Sequence, residues 1–337
     1  MKQSVVLRLG DRGNAVRDLS TRLGARLASN AEGSYVFDDG LETAVRAFQD
    51  QRGLRVDGIC GPETWGALIE SGFQLGDRLL YLSGEMLRGD DVAELQRRLN
   101  VLGFDAGRED GILGPETETA LRQFQRNAGT TADGVCGPAT LAAIARVSGL
   151  AAGSVASVRE RETLRRAPRR LDGLRVFLVA EPAMGALAYA VERAMSNAGA
   201  VVGLDISGDD PSVLTAQANR FRAGAFVALT NSGEPGVRCA YFLNRSFRSE
   251  GGHCLALRLT ESLRAVLDDV DEPIGRTYRF LRETRMTAVV CELVGREEAD
   301  ARALLTARLP DVTRALVEGI RRGLEEPRVE EPPGRTR

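Results

Sequence analysis

Sliding the chain along itself by 76 residues superimposes two stretches of its N-terminal half. Val16, Leu19 and Leu23 fall on Val92, Leu95 and Leu99. Thr43, Ala44, Phe48 and Gln49 fall on Thr119, Ala120, Phe124 and Gln125. The run Asp57-Gly58-Ile59-Cys60-Gly61-Pro62 falls on Asp133-Gly134-Val135-Cys136-Gly137-Pro138. A tandem duplication over about residues 5–147 calls for two copies of one small folding unit rather than a single large core.

Within each copy, V-x-x-L-x-x-x-L (16–23 and 92–99) and A-[VL]-x-x-F-Q (44–49 and 120–125) set apolar residues on one helical face. A D-G-x-x-G-P-x-T segment closes the copy: glycines make the tight turn, proline suits the first helical position, and a short helix follows. The second copy carries this segment at 110–117 and again at 133–140, whereas the first keeps only the later one, because 35–43 has lost the pattern. Each copy is expected to be a small helical module with two turn-helix elements.

These motifs, taken as a set, resemble the type-1 peptidoglycan-binding module. The resemblance implies a three-helix fold and recognition of glycan-peptide wall material. Asp57 and Asp133, with Gly61, Pro62, Gly137 and Pro138, read either as turn and cap residues or as ligand contacts. Trp65 offers an aromatic face that stacks on a sugar; packing into the core is the other reading.

Composition narrows the chemistry. The 337 residues include one histidine, His253, and one lysine, Lys2. Zinc sites with two or three imidazoles, P-loops, Schiff-base lysines and the kinase lysine are thereby excluded. A serine triad would need a G-x-S-x-G elbow, and none occurs. The net charge of −2 argues against nucleic acid as a partner. The stretch MKQSVVLRLGDRG lacks the apolar region of a secretory signal, and no run approaches the ~20 apolar residues of a membrane span. Five cysteines, with no C-x-x-C, suit reduced thiols in a cytoplasm.

The domain boundaries read from these patterns are 1–76 and 77–150 for the modules, 151–173 for an arginine-rich linker, 174–323 for a third domain, and 324–337 for a disordered tail. In the third domain, 174–180, 225–230 and 287–293 are short apolar runs expected as buried strands. Helical patterns cover 184–198, 211–223, 252–267 and 298–323. Alternation of the two predicts an α/β domain with a mostly parallel sheet. No G-x-G-x-x-G follows the first strand, so dinucleotide binding is not supported.

The order of these elements resembles the zinc-dependent N-acetylmuramoyl-L-alanine amidase fold. The family implies two histidine ligands, a glutamate ligand and a catalytic glutamate. In this chain the first strand runs through EPAMG almost directly into a helix, so the loop bearing the first histidine and the glutamate ligand is missing. Thr230 stands where the second histidine belongs, and Glu292 matches the catalytic glutamate. His253 lies outside every amidase motif, at an expected helix N-terminus. The resemblance therefore implies a pseudo-amidase, with zinc absent and Glu292 vestigial.

As a whole, the arrangement resembles the actinobacterial CwlM proteins. That resemblance implies a cytoplasmic, non-catalytic regulator or scaffold of peptidoglycan synthesis. The implied partners are wall fragments or precursors, the UDP-N-acetylglucosamine enolpyruvyl transferase or another wall-synthesis protein, and a Ser/Thr kinase. The tail GLEEPRVEEPPGRTR holds one hydroxyl, Thr336, in no matching motif. Two alternatives stay open: an active amidase with an unconventional site, and an exported wall-binding protein.

Overall fold

Two compact units make up the chain, one of residues 1–159 with 245–247 and one of the remainder. The computed structural model describes residues 6–24, 35–84, 86–147, 160, 171–231, 236–244, 247–293 and 298–325, with side chains in the last stretch from 307. Residues 326–337 of the tail expected at 324–337, with Thr336, and most of the arginine-rich linker lie outside the described residues.

In the first unit each copy contributes three helices, as expected: α1 (Asn14–Leu23), α2 (Asp39–Gln51) and α3 (Pro62–Glu70), then α4 (Asp90–Val101), α5 (Pro115–Asn127) and α6 (Pro138–Val147). Proline opens α3, α5 and α6 at the position where its missing N–H costs nothing. Helix α2, at the degenerate segment, starts differently: Asp38 caps it by accepting from the Leu41 N–H at 2.9 Å. Duplicated apolar positions form two matching cores, with Val16 and Leu19 in one and Val92, Leu95 and Leu99 in the other.

An N-terminal segment bridges back to the last turn of each copy, Leu7 to Cys60 and Leu80 to Cys136. A second bridge joins Arg12 to Val36 and Arg88 to Ile112. Leu7 to Leu80 is 73 residues whereas Arg12 to Arg88 is 76, so the second copy has three extra residues in this loop. Leu75, assigned above to the first module, packs on the core of the second, which shifts that boundary slightly toward the N-terminus.

The second unit is built on a six-stranded sheet in the order β2-β1-β3-β6-β4-β5. Its strands are β1 (Arg175–Ala180), β2 (Val201–Asp205), β3 (Ala225–Thr230), β4 (Arg238–Phe242), β5 (Ile274–Arg276) and β6 (Thr287–Glu292). All pairings are parallel except β4 with β6. The central strands are buried on both faces and so read as unbroken apolar runs.

Helices α7 (Gly185–Asn197), α9 (Glu250–Arg264) and α11 (Glu298–Glu325) contribute to the core on one face of the sheet. On the other face, α8 (Pro211–Phe221) and α10 (Arg279–Glu283) bring Phe221 against Phe177 and Phe280 against Phe226. Gly319 and Gly323 let α11 lie on α9: a Cβ on either would meet the Cα of Leu259 or Leu255 at 2.8 or 3.0 Å. Leu171, read from sequence as linker, is buried in this core, so the domain begins before 174. Helix α11 runs two residues past 323, and the Glu325 carboxylate accepts from the Leu171 N–H at 3.3 Å.

Candidate functional site

One side chain organises each D-G-x-x-G-P-x-T turn. Gln125, on α5, donates its Nε2 to Asp133 Oδ1 at 2.8 Å, to the Val135 carbonyl at 3.0 Å and to Thr140 Oγ1 at 3.1 Å. Its Oε1 accepts from the Gly134 N–H at 2.9 Å. Gln49, on α2, makes the same set with Asp57, Ile59, Thr64 and Gly58. Gln96, on α4, repeats it with Asp110, Ile112, Thr117 and Gly111. In the first copy the position equivalent to Gln96 is Ser20, which accounts for the lost pattern at 35–43.

Asp57 and Asp133 therefore have structural partners. Each Oδ1 also accepts from a backbone N–H two residues on, Ile59 at 2.8 Å and Val135 at 2.9 Å. The Val135 N–H and the Gln125 amide hold the Asp133 carboxyl below the usual carboxylate range. The glycine after each aspartate sits at positive φ, 74° for Gly58 and 75° for Gly134, as the turn requires.

Trp65, on α3, is half-buried against the core of the first module. Its indole Nε1 is buried with no hydrogen-bond partner. Burial pushes the Cys60 and Cys136 thiols up to about 12, and neither is in a disulfide.

In the second unit, period-two alternation decides which side chains share a face. Val227 and Leu229 on β3, with Val289 and Cys291 on β6, join the core beneath α7, α9 and α11. Thr230 and Glu292 consequently point to the opposite face, and they are register partners at the carboxyl ends of two parallel strands. Both are buried, at 5% and 3% exposure. Tyr278 donates its hydroxyl to Glu292 Oε1 at 2.8 Å. On the other flank Arg238, the β4 partner of Glu292, turns its Nε to Asp271 Oδ2 at 2.7 Å.

The sheet brings Thr230 and Glu292 together and leaves His253 elsewhere. His253 lies in the first turn of α9, which Ser249 caps by accepting from the Gly252 N–H, and its ring packs edge-on against Tyr241 at 4.9 Å. Between Ala180 and α7 there is only a short 3-10 turn, Pro182–Met184. Among the described residues no three His, Cys, Asp or Glu side chains gather as a metal site. Sequence reasoning missed Tyr278 and Asn231 at this strand end, and neither carries a motif. It also missed the clamping role of the glutamines, whose one signal was the recurrence of Phe-Gln in both copies.

Residues 12–68 and 88–144 match the family model described as "Putative peptidoglycan binding domain". The chain carries two peptidoglycan-binding modules. It is CwlM-like. It is 43% identical over 187 residues to the N-acetylmuramoyl-L-alanine amidase CwlM of Mycobacterium tuberculosis, over 51% of this chain and 45% of that one. It is 32% identical over 161 residues to the N-acetylmuramoyl-L-alanine amidase CwlL of Bacillus licheniformis, over 41% of this chain and 44% of that one. The chain thus spans less than half the length of these curated relatives. Among solved structures, the N-acetylmuramoyl-L-alanine amidase AmiC2 of Nostoc punctiforme aligns with 46% of this chain and 99% of its own, at 16% identity and a TM-score of 0.39. Among the described residues no helix is long and apolar enough to cross a membrane.

Proposed function

We propose that this chain is a non-catalytic cytoplasmic regulator or scaffold of peptidoglycan synthesis, which binds muropeptide-like precursors through its modules and a wall-synthesis enzyme through its amidase-like domain. The observation that carries the reading is Thr230 beside Glu292 at the sheet end. A catalytic zinc takes three protein ligands, chosen from imidazole, thiolate and carboxylate, and keeps an open position for water. The strand end offers one carboxylate, a hydroxyl and a side-chain amide, and this donor set does not fit zinc. Without a metal to acidify water, Glu292 has no nucleophile to deprotonate. The one imidazole of the chain packs on Tyr241 instead.

Metal analysis of the purified chain, run beside a muropeptide-cleavage assay, tests the reading. It expects no stoichiometric zinc and no released peptide. Cleavage that Glu292→Ala abolishes would establish the alternative of an amidase with an unconventional site. Cell fractionation that finds the protein outside the membrane would support an exported wall-binding protein. For the partner, reconstitution with the enolpyruvyl transferase should change that enzyme's rate, and a precursor pathway indifferent to the chain would remove the regulatory role. Whether a Ser/Thr kinase acts on the chain is tested by phosphate incorporation mapped by mass spectrometry.

A further inference from the structure

Glu160 lies in the stretch RERETLRRAPRR (159–170), where six arginines accompany two glutamates. Such a sequence offers its carboxylates ion pairs close by. Among the described residues, however, the Glu160 carboxylate has two partners, 89 and 90 residues further along the chain. The Ser249 hydroxyl donates to Oε1 at 2.6 Å, and the Glu250 N–H donates to Oε2 at 3.1 Å.

These partners are the start of α9. Ser249 is its cap: Oγ accepts from the Gly252 N–H at 3.1 Å while the hydroxyl proton goes to Glu160. Glu250 is the first helical residue, so its N–H has no acceptor within the helix. The carboxylate supplies that acceptor through a charge-assisted bond, at the positive end of the helix dipole. Gly252 leaves room for the cap, because a Cβ there would meet Ser249 Oγ at 3.0 Å. Ser249 is buried and Glu160 half-buried, so the fold fixes the receiving side while the carboxylate stays within reach of water.

The contact sets where the second unit takes hold of the chain. That unit starts at Glu160, whereas its core begins at Leu171. With the contact made, the connection from Val147 at the end of α6 stops at Glu160; without it, the connection runs on to Leu171. A shorter connection raises the effective concentration at which one unit meets a ligand held by the other.

We propose that Glu160 is a latch, which docks the arginine-rich stretch on the start of α9 and shortens the connection between the two units, and that breaking this contact releases the stretch. The latch is independent of what either unit binds.

Two measurements on the full chain test it. In the unaltered protein, hydrogen exchange followed by NMR should find the Glu250 amide protected about tenfold or more, although a first-turn amide without an outside acceptor exchanges freely. Trypsin should cut the same chain slowly after Arg165 and Arg166. Glu160→Ala and Ser249→Asp should each remove the protection and speed that cleavage about tenfold or more, with the melting transition retained. Aspartate caps a helix as well as serine does, but its carboxylate has no proton to donate and repels Glu160. Neither substitution lies beside the cut bonds, so the protease's own sequence preference is unchanged. An unprotected Glu250 amide in the unaltered chain, or protection that survives Glu160→Ala, would overturn the proposal. Cleavage after Arg165 and Arg166 at one rate in all three chains would do the same. The exchange rate of the unaltered chain needs no variant, so it decides even where a variant fails to fold.

Discussion

Arg52 holds Asp90 through two parallel bonds, Nη1 to Oδ2 at 2.8 Å and Nη2 to Oδ1 at 2.6 Å, and so ties the end of α2 to the first turn of α4. The hydrogen bond to Asp90 raises the guanidinium above its ordinary value. This pair links the two modules within the first unit. Because Asp90 is 45% exposed, its side chain keeps much of its hydration. A double-mutant cycle of Arg52→Ala and Asp90→Ala by chemical denaturation should give a coupling of about 0.5–1 kcal/mol, falling with added salt.

Each glutamine clamp satisfies four groups at once, two of them backbone. Gln125→Ala should cost about 2–3 kcal/mol in urea unfolding, because the Gly134 N–H and the Val135 carbonyl lose their side-chain partner. Gln49→Ala and Gln96→Ala should behave alike. A loss within 0.5 kcal/mol of zero at all three would mean that water replaces the clamp without cost.

Asp133 gives a pH signature. Its folded value lies below the ordinary carboxylate range, chiefly through the Val135 N–H. The sign follows from linkage: its contribution to stability is complete above the unfolded value of about 3.9 and is lost as pH falls through the lower folded value. An NMR titration of the Asp133 carboxyl should show the depressed midpoint, and Gln125→Ala should move it upward.

The Cys60 and Cys136 thiols, pushed up to about 12 by burial, carry the opposite sign. Their contribution is complete below the unfolded thiol value of about 8.5 and is lost as pH rises toward the folded one. All five cysteines are buried, and Cys239 and Cys291 oppose each other across β4 and β6 with sulfurs 3.9 Å apart. Their shared hydrogen bond and burial raise the Cys291 thiol well above its ordinary value. Iodoacetamide at pH 8 should therefore label the native chain slowly and the urea-unfolded chain at all five positions.

Trp65 is the chain's one tryptophan, so its fluorescence reports on the first module alone. Muropeptide fragments that stack on its exposed face should quench or shift the emission, and Trp65→Phe should remove the signal with little loss of stability. Binding detected by calorimetry with unchanged emission would assign Trp65 to packing.

Much of this architecture was legible in the sequence, and particular residues explain where legibility ended. Strands β1, β3 and β6 were readable because they sit at the centre of the sheet with both faces covered. Val201–Asp205 is a half-exposed edge, and Ile274–Arg276 is three residues long, so neither shows a strand period. Helix α11 was legible despite Pro310, because its apolar spacing continues on both sides of the proline. The meeting of Thr230 with Glu292 could be placed by family resemblance alone, since β4 and β5 intervene along the chain and only the strand order makes β3 and β6 neighbours. The link from Gln96 to Asp110 was invisible for a related reason: a lone polar residue on a helix carries no sign of what it reaches.

The clamps also bear on how the chain is made. Gln49 reaches Thr64 and Gln125 reaches Thr140 across 15 residues, and Gln96 reaches Thr117 across 21. Each lock can close as soon as the next short helix emerges from the ribosome, so the first unit assembles from contacts local in sequence. The sheet of the second unit is the reverse case, because its central strand β3 waits for β6, with Ala225 paired to Thr287. Low contact order favours fast folding. A nascent chain should therefore present finished modules while most of the sheet is still unmade, and they would be available to a wall fragment before synthesis ends.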